Sequence, residues 1–270
     1  MNRYEDFWGR VFDLSQAFKI SISQSFDESQ PNHFGAPEAS RRPVGMDGFV
    51  GDVNQGSSCN CDVIALVPHC NGTHTETVGH IANEEVLISK TKIPVLLTSL
   101  LITVEPVTRE QSSDTYRPPI EASDEFISAS SLKQAFAGQE LGQFDALIVR
   151  TLPNELDKMS RKYAHGRPPA FFSVEAMEAI FEAGFQHLLV DLPSIDKMWD
   201  EGKLTCHHLF WNMVEGTNQL TESVRQEKTI TEMIFVHEAI QDGVYLLNLQ
   251  VADWKMDAAS SRPVLFPQVQ

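Results

Sequence analysis

A strand-helix-strand succession between residues 144 and 196 is the feature that most restricts the fold of this chain. FDALIVRTLP (144–153) and QHLLVDLPSID (186–196) are apolar runs of strand length, and each ends in turn residues. Between them, FFSVEAMEAIFEAGF (171–185) has apolar residues at helical spacing and a glycine at its end. A helix in this position carries the chain back over the sheet, so the two strands pair in parallel. The sequence therefore predicts an α/β fold, in which helices pack on a mixed or parallel sheet.

Further strand and helix patterns lie on both sides of this unit. After a short N-terminal helix, RVFDLSQAFKISI (10–22) has the β-branched and aromatic content of a first strand. CDVIALVPH (61–69) has the pattern of a strand that is buried on both faces. Further strands are predicted at 92–107, 229–240, 243–256 and 262–269, and further helices at 130–138 and 202–213.

Length and composition limit the number of domains. The 270 residues, 42% of them hydrophobic, are enough to bury a full core as one large domain or two small ones. We predict a single domain spanning residues 1–270, with exposed insertions near 107–126 and 212–228, where the chain is polar. SQPNHFGAPEASRRPVGMDGF (29–49) is rich in Pro, Gly and Ser, which predicts a long loop.

The formal net charge of −16 argues against nucleic acid or an anionic membrane as a partner, because both are bound mainly through Lys and Arg. The chain lacks the run of about 18 apolar residues that a membrane span needs, and MNRYEDFWGR at its start is unlike a secretory signal. Cys59 and Cys61 are too close for an ordinary disulfide, while Cys70 and Cys206 lie far apart in the sequence. We therefore expect a soluble cytoplasmic protein with free thiols.

The segment HCNGTHTETVGH (69–80) contains three histidines and a glutamate. NGT (71–73) is turn chemistry and β-branched threonine recurs, so a loop or a strand end is expected here rather than a helix. Neutral imidazole and carboxylate are the usual protein ligands of zinc or manganese. One short loop cannot surround two ions, and the His207-His208 pair and Glu232 offer a second set of ligands.

The pattern GTH-x-E-xxx-H, from Gly72 to His80, resembles the HxGTHxDxPxH signature of the cyclase family of metal-dependent hydrolases, which includes the bacterial kynurenine formamidases. The order of the other segments is similar to that family over nearly the whole chain. These segments are FDLS, ALIVRT, VEAMEAIFEAGFQHLLVDLPSID, an HH pair, a glutamate that opens a strand, DGVYLL and SSRPV. The resemblance implies the swivelling β/β/α fold of the family, and the two predicted insertions lie outside it.

The resemblance also implies a role for each matching residue. His74 matches a ligand of the first metal, and Glu76 matches the aspartate that bridges two metals. His80 matches the histidine that acts as general acid and base. His207 matches a ligand of the second metal, and Glu232 matches the carboxylate that completes its ligand shell.

The first ligand departs from the family pattern. The family has a histidine two residues before the glycine, whereas here His69 lies three residues before Gly72 and Cys70 occupies the matching position. A bulged loop can still present His69, although a Cys70 thiolate is an alternative zinc ligand. We favour His69. Similarly, His208 replaces His207 as the ligand if the match slips by one residue.

Other departures indicate a divergent member. Glu76 is one methylene longer than aspartate, which shifts or widens a bridged metal pair. Val78 replaces a proline, so the turn loses its preset φ. The separation of His207 from Glu232 exceeds that of the family, which we attribute to the insertion between them.

Two further groups have expected supporting roles. Asp191, Ser194 and Asp196 follow a buried strand, where they are expected to support the site or to form a turn. The aromatic residues Phe34, Phe49 and Trp199 are candidates for lining a substrate pocket.

The function that the resemblance implies is hydrolysis of an amide or of a cyclic amide or ester in a small molecule, with aryl formamides as the family's best-known substrates. Two divalent ions, zinc or manganese, activate a water, and His80 transfers the proton. A lactone hydrolase or cyclase that uses the same residues is one alternative. A non-catalytic protein that binds a small ligand in a metal-dependent way is another. Members of the family usually self-associate, so we expect a homodimer or larger oligomer.

Overall fold

Strands outnumber helices in the computed structural model, which describes residues 2–27 and 29–269. The strands are β1 (Arg3–Glu5), β2 (Val11–Asp13), β3 (Phe18–Lys19), β4 (Ser40–Pro43), β5 (Gly45–Met46), β6 (Phe49–Val50), β7 (Asp62–Ala65), β8 (His74–Glu76), β9 (Leu97–Val104), β10 (Val107–Thr108), β11 (Glu125–Ile127), β12 (Ala146–Thr151), β13 (Phe171–Phe172), β14 (His187–Val190), β15 (Thr229–Glu232), β16 (Gly243–Asn248), β17 (Ala258–Ser260) and β18 (Val264–Pro267). The α-helices are α1 (Pro68–Asn71), α2 (Ala129–Ala135), α3 (Val174–Ala183) and α4 (Thr205–Phe210). Short 3-10 helices cover Val53–Gln55, Val78–His80, Ile88–Lys90, Leu141–Gln143 and Leu156–Met159. Across the described residues, no helix combines the length and the apolar character needed to cross a membrane.

The largest sheet within the described residues has nine strands in the order β17-β8-β15-β14-β12-β9-β16-β18-β3. Strands β9, β12, β14 and β15 pair in parallel, and the other pairs of this sheet are antiparallel. The parallel pair β12 and β14 lies on either side of α3 in the sequence, which is the predicted crossover. The predicted α/β fold with a mixed sheet and packed helices is confirmed.

Helix α3 is defined at both ends by its sequence. The Ala176 N–H donates to the Ser173 hydroxyl at 3.0 Å, which satisfies a helix N-terminal donor that has no partner inside the helix. Gly184 ends the helix in the left-handed conformation, with φ of 85°. Met177 and Ile180 are fully buried in the core. This helix covers one face of the sheet and so holds β14, whose end leads into the 191–196 segment.

The core occupies both faces of the central strands. In β12, Leu147 and Val149 pack with one hydrophobic cluster, and Ala146 and Ile148 pack with the other. All six residues of β12 are buried, because successive side chains point to opposite faces and both faces are covered.

Three local predictions were wrong. The expected N-terminal helix is an antiparallel hairpin of β1 and β2. The run 61–69 is not a buried strand, because β7 is exposed along its length and pairs only with β4 among the described strands. Pro68 then begins α1, since proline fits the first position of a helix. In the run 229–240, Glu232 ends β15 rather than opening a strand, because Met233 has φ of 53° and the chain turns there.

Candidate metal centre

The histidine-rich segment 69–80 is a succession of short elements rather than one loop. His69 lies on α1, β8 carries His74 and Glu76, and His80 ends the 3-10 helix Val78–His80. Strand β8 lies between β17 and β15 in the large sheet. Because side chains alternate along a strand, His74 and Glu76 share one face, while the Thr75 hydroxyl lies 2.8 Å from that of Thr231 on the other.

Glu76 is the centre of the cluster and is fully buried. Its Oε1 lies 2.9 Å from His207 Nε2, and its Oε2 lies 2.9 Å from His69 Nδ1. Oε2 is also 3.8 Å from His74 Nε2 and 3.9 Å from His80 Nδ1. One carboxylate therefore faces four imidazoles, and four different elements supply them.

Glu232 approaches from the neighbouring strand, where it pairs with His74 across β15 and β8. Its Oε2 lies 3.5 Å from His74 Nε2, and its Oε1 lies 3.9 Å from His207 Nε2. The Ile195 N–H donates to Oε1 at 2.8 Å and fixes the carboxylate. The six residues predicted for the site, His69, His74, Glu76, His80, His207 and Glu232, thus converge.

The structure distinguishes the alternative donors. His208 points away from the cluster, because its Nδ1 lies 2.8 Å from Leu204 O and its Nε2 lies 3.0 Å from Thr217 O. The described residues that could hold an ion together include His69 but not Cys70. Cys70 is buried, and burial together with the nearby charge of Glu232 raises the pKa of its thiol to about 11. The geometry favours His69 and His207 over their sequence neighbours.

Asp196 supports His207 from outside the cluster, as the sequence suggests for the 191–196 segment. Its Oδ2 is hydrogen-bonded to His207 Nδ1, and its Oδ1 accepts hydrogen bonds of 2.6 Å from the Cys206 N–H and the Tyr116 hydroxyl. Tyr116 is buried, although it comes from the predicted insertion 107–126. Asp191 instead forms a buried ion pair with Lys158 at 2.8 Å.

Asp257 belongs to the cluster and was missed in the sequence. Its Oδ2 lies 2.8 Å from His69 Nε2 and 3.7 Å from His80 Nδ1. Its backbone carbonyl accepts a hydrogen bond of 3.0 Å from the Thr77 N–H. The residue directly precedes β17, whose pairing with β8 brings it to the site. The only sequence signal is its place just before the SSRPV segment.

The carboxylates and imidazoles shift one another's pKa values strongly. Burial alone would lower the pKa of His69, but hydrogen bonds with Asp257 and Glu76 raise it to about 10. Burial likewise opposes the effect of the Asp196 and Glu76 carboxylates on His207, which nonetheless raise its pKa well above 6.5. Burial would raise the pKa of Glu76, but the His80 charge and hydrogen bonds from His207 and His69 hold it well below 4.5. The hydrogen bond from His69 holds the pKa of Asp257 far below its usual range.

The donor set fits a divalent cation. Among the residues that the structure describes, three overlapping groups have donor atoms within 4.8 Å of one another: His69, His74 and Glu76; Glu76, His80 and His207; and His69, His80 and Asp257. His74 Nδ1 lies 3.1 Å from Gly72 O, which leaves Nε2 buried and, among the described residues, without a hydrogen-bond partner. Such a nitrogen is costly to bury unless it binds something. Imidazole and carboxylate donors suit zinc or manganese, and the individual ligand roles stay predictions.

Aromatic residues lie beside the cluster. Phe34 and Trp199 are exposed, and their rings meet edge to face with centroids 5.7 Å apart. The neighbouring His33 is buried, and its backbone N–H donates to Cys70 O at 3.0 Å, which ties the 29–49 segment to α1. Phe49 lies in β6 instead.

Comparison with known proteins gives one family and one fold. The family model described as "Putative cyclase" matches residues 12–197. No curated protein matches the chain. A potential metal-dependent hydrolase with cyclase activity superposes with a TM-score of 0.62 at 14% identity, covering 94% of this chain and 99% of its own. A predicted metal-dependent hydrolase from Bacillus stearothermophilus gives 0.58 at 15% identity, covering 93% and 98%. An isatin hydrolase bound to the product analogue thioisatinate gives 0.59 at 12% identity, covering 94% of each chain.

Proposed function

The chain belongs to the cyclase family, and on this premise we propose that it is a metal-dependent hydrolase that cleaves an amide, or a cyclic amide or ester, in a small molecule. The family match confirms the resemblance that the order of the sequence segments suggested. The similar structures named as metal-dependent hydrolases support the metal-dependent part of the proposal. The isatin hydrolase supports a cyclic amide as one substrate class, because isatin is a cyclic amide fused to a benzene ring.

One observation carries the proposal. Glu76 and Glu232 each present one oxygen to His74 and the other to His207, at distances from 2.9 to 3.9 Å. Two carboxylates shared in this way between histidines on opposite sides are suited to bridging two divalent cations. His69 would add a ligand on the His74 side. Two ions per chain, zinc or manganese, are the composition that this donor set supports best.

Divalent ions held by these residues would lower the pKa of a bound water towards about 7 and would polarise the carbonyl that is attacked. The chain itself supplies orientation and proton transfer. His74 and His207 are almost wholly buried, whereas the His80 side chain is 27% exposed. The His69 side chain is 24% exposed, but carboxylate oxygens lie 2.9 and 2.8 Å from its two ring nitrogens, whereas the carboxylate oxygens near His80 Nδ1 are 3.7 and 3.9 Å away. His80 is therefore the imidazole best placed to meet a substrate and to deliver a proton to the leaving nitrogen or oxygen.

The exposed aromatic pair supports an aryl substrate. The Phe34 ring centroid lies 3.9 Å from that of His33, whose backbone N–H donates to Cys70 O, and the Trp199 ring contacts this pair through Phe34. Exposed aromatic side chains bind flat apolar groups through large contact areas. An aryl formamide or an aryl-fused cyclic amide is thus the substrate class that we propose first.

Self-association and a cytoplasmic setting also belong to this proposal. Met46, Val63 and Ile64 are exposed on the segments 45–50 and 62–65, which supports contact with a second copy. Size-exclusion chromatography with light scattering should give twice the monomer mass or more, and a single-chain mass would contradict self-association.

The exposed thiols of Cys59 and Cys61 support a reducing compartment.

The test is turnover of a small panel by zinc- and manganese-loaded protein. The panel contains formanilide, isatin and an aromatic lactone, and product formation is followed by absorbance and mass spectrometry. Hydrolysis of an amide that requires the metal and that His80→Ala abolishes would support the proposal. Lactone hydrolysis alone would identify the alternative ester activity. Bound metal without turnover of any panel member would favour a ligand-binding protein instead.

The control for the test is the zinc content of the His80→Ala protein. We predict that it equals that of the wild type, because the proposal gives His80 a proton-transfer role. A loss of one ion in this variant would instead make His80 a ligand.

A further inference from the structure

His69 has a carboxylate at each ring nitrogen. Nδ1 lies 2.9 Å from Glu76 Oε2, and Nε2 lies 2.8 Å from Asp257 Oδ2. A neutral imidazole has one N–H and one lone pair, and only the lone pair can bind a metal. If His69 binds an ion, one of its nitrogens must donate to a carboxylate while the other faces the ion.

The groups around the His69 ring indicate which nitrogen would bind the ion and which would carry the proton. Nδ1 faces Glu76, whose Oε2 lies 3.8 Å from His74 Nε2. Nε2 faces the outer side of the cluster, where the Asp257 side chain is 31% exposed. Nδ1 is therefore the nitrogen that lies on the same side as His74 and Glu76 and could bind the same ion.

Backbone contacts position Asp257 so that its carboxylate can orient the His69 ring. The Thr77 N–H and hydroxyl donate to its backbone carbonyl at 3.0 and 3.2 Å. Ala258, the next residue, pairs with Glu76 across β17 and β8. The strand that carries His74 and Glu76 thus also sets the position of the Asp257 carboxylate.

His69 needs such a partner more than the other ligands do. It lies on a helix of only four residues, one position away from the residue that the family motif would use, and its side chain is 24% exposed. On the opposite side of the cluster, Asp196 accepts a hydrogen bond from His207 Nδ1 in the same manner. The two histidines that flank Glu76 most closely therefore each have an outer carboxylate.

We propose that Asp257 is a positioning residue that accepts the Nε2–H of His69 and so turns the Nδ1 lone pair towards the metal centre. The inference rests on the proposed metal site. Carboxylate partners of this kind fix the tautomer and orientation of a ligand histidine, and their loss lowers metal affinity by about 10–100-fold. Through Asp257 the chain uses a histidine that is displaced by one residue from the family position.

A competing arrangement makes Asp257 a ligand itself, together with His69 Nε2 and His80 Nδ1. It would leave the His69 Nδ1–H donating to Glu76 Oε2, an oxygen that the proposal reserves for the ion. The two arrangements differ in the number of ions bound by variants of Asp257. They also differ in how well asparagine replaces aspartate, because an asparagine oxygen accepts a hydrogen bond but carries no charge.

The experiment measures zinc affinity by chelator competition and ions per chain by mass spectrometry for the wild type, Asp257→Ala, Asp257→Asn and Asp253→Ala. Asp253 is an exposed residue of the same segment, so its variant controls for the loss of one negative charge. We expect about 10–100-fold weaker binding for Asp257→Ala at unchanged ion number, recovery to within about tenfold of the wild type for Asp257→Asn, and no change for Asp253→Ala. The visible spectrum of the cobalt-loaded Asp257→Ala protein should also change.

Two results would overturn the inference. Wild-type affinity in Asp257→Ala would show that His69 needs no partner, and the loss of one ion in both Asp257 variants would show that Asp257 is a ligand. Failure of the wild type to bind zinc would instead contradict the proposed function. Far-ultraviolet circular dichroism of each variant checks that the fold is retained.

Discussion

Replacement of Cys70 by alanine, compared with replacement of His69, shows which of the two adjacent residues binds the metal. Burial and the charge of Glu232 raise the pKa of the Cys70 thiol to about 11. At pH 7 only about one thiol in ten thousand is then ionised, whereas zinc binds the thiolate. His69 already lies 2.9 Å from the central carboxylate of Glu76.

We predict that Cys70→Ala binds zinc with an affinity within about twofold of the wild type and loses about 1 kcal/mol of folding stability, because a small buried group is removed. His69→Ala should lose more zinc affinity than the loss of a ligand's hydrogen-bonded carboxylate partner causes, which is about 10–100-fold. Chelator competition and urea unfolding measure the two quantities. The cobalt-loaded wild type should also lack the near-ultraviolet band of a cobalt–thiolate bond. Loss of an ion in Cys70→Ala, or full affinity in His69→Ala, would refute this reasoning.

Three further predictions concern the pH dependence and the stability of the fold. Zinc affinity should rise about tenfold per pH unit for each proton displaced, from about pH 6.5 to about pH 9, because His69 has a pKa of about 10 and is protonated in the metal-free protein. Calorimetry in two buffers measures the number of protons released on zinc binding. Zinc binding without proton release would contradict this prediction. Lys228 Nζ lies 4.8 Å from the ring centroids of both Phe181 and Phe210, and burial lowers its pKa to about 8. Between pH 8 and 10.5 the unfolded chain binds one more proton at this lysine than the folded chain does, so stability should rise with pH there. Lys228→Met should remove that rise and should stabilise the fold by about 2 kcal/mol at pH 7, which is less than the full pKa shift implies because the ammonium contacts with two aromatic rings are also lost. Equal urea midpoints for the variant and the wild type at pH 7 would contradict this prediction. Ser173→Ala should cost about 1 kcal/mol through loss of the α3 cap, and unchanged urea unfolding would exclude that role.

Local patterns were enough to predict the centre of the fold. The α3 crossover is predictable because strand periodicity, helix periodicity and a terminal glycine all occur within residues 144–196. Strand β7 was wrongly predicted to be buried. An apolar run indicates a strand, but it does not show whether the rest of the fold covers that strand. In the structure this run is short, pairs only with β4 among the described strands, and is exposed.

The sequence likewise identified some residues of the candidate site but not others. His74, Glu76 and His80 lie in one motif and could be identified together. The choice between His207 and His208 depends on the rotation of α4, since neighbours on a helix point about 100° apart, and spacing alone does not give this rotation. Asp257 reaches the site only because β17 pairs with β8, a long-range contact that leaves no local pattern.

The most direct test of a two-ion hydrolase centre is a crystal structure of the zinc-loaded protein with anomalous difference maps at the zinc edge. We predict two peaks about 3.5–4 Å apart on either side of Glu76, one beside His69 and His74 and the other beside His207, with Glu232 contacting both. Peaks at other residues, or no peak at Glu76 after loading, would contradict the assignment of this cluster as the metal centre.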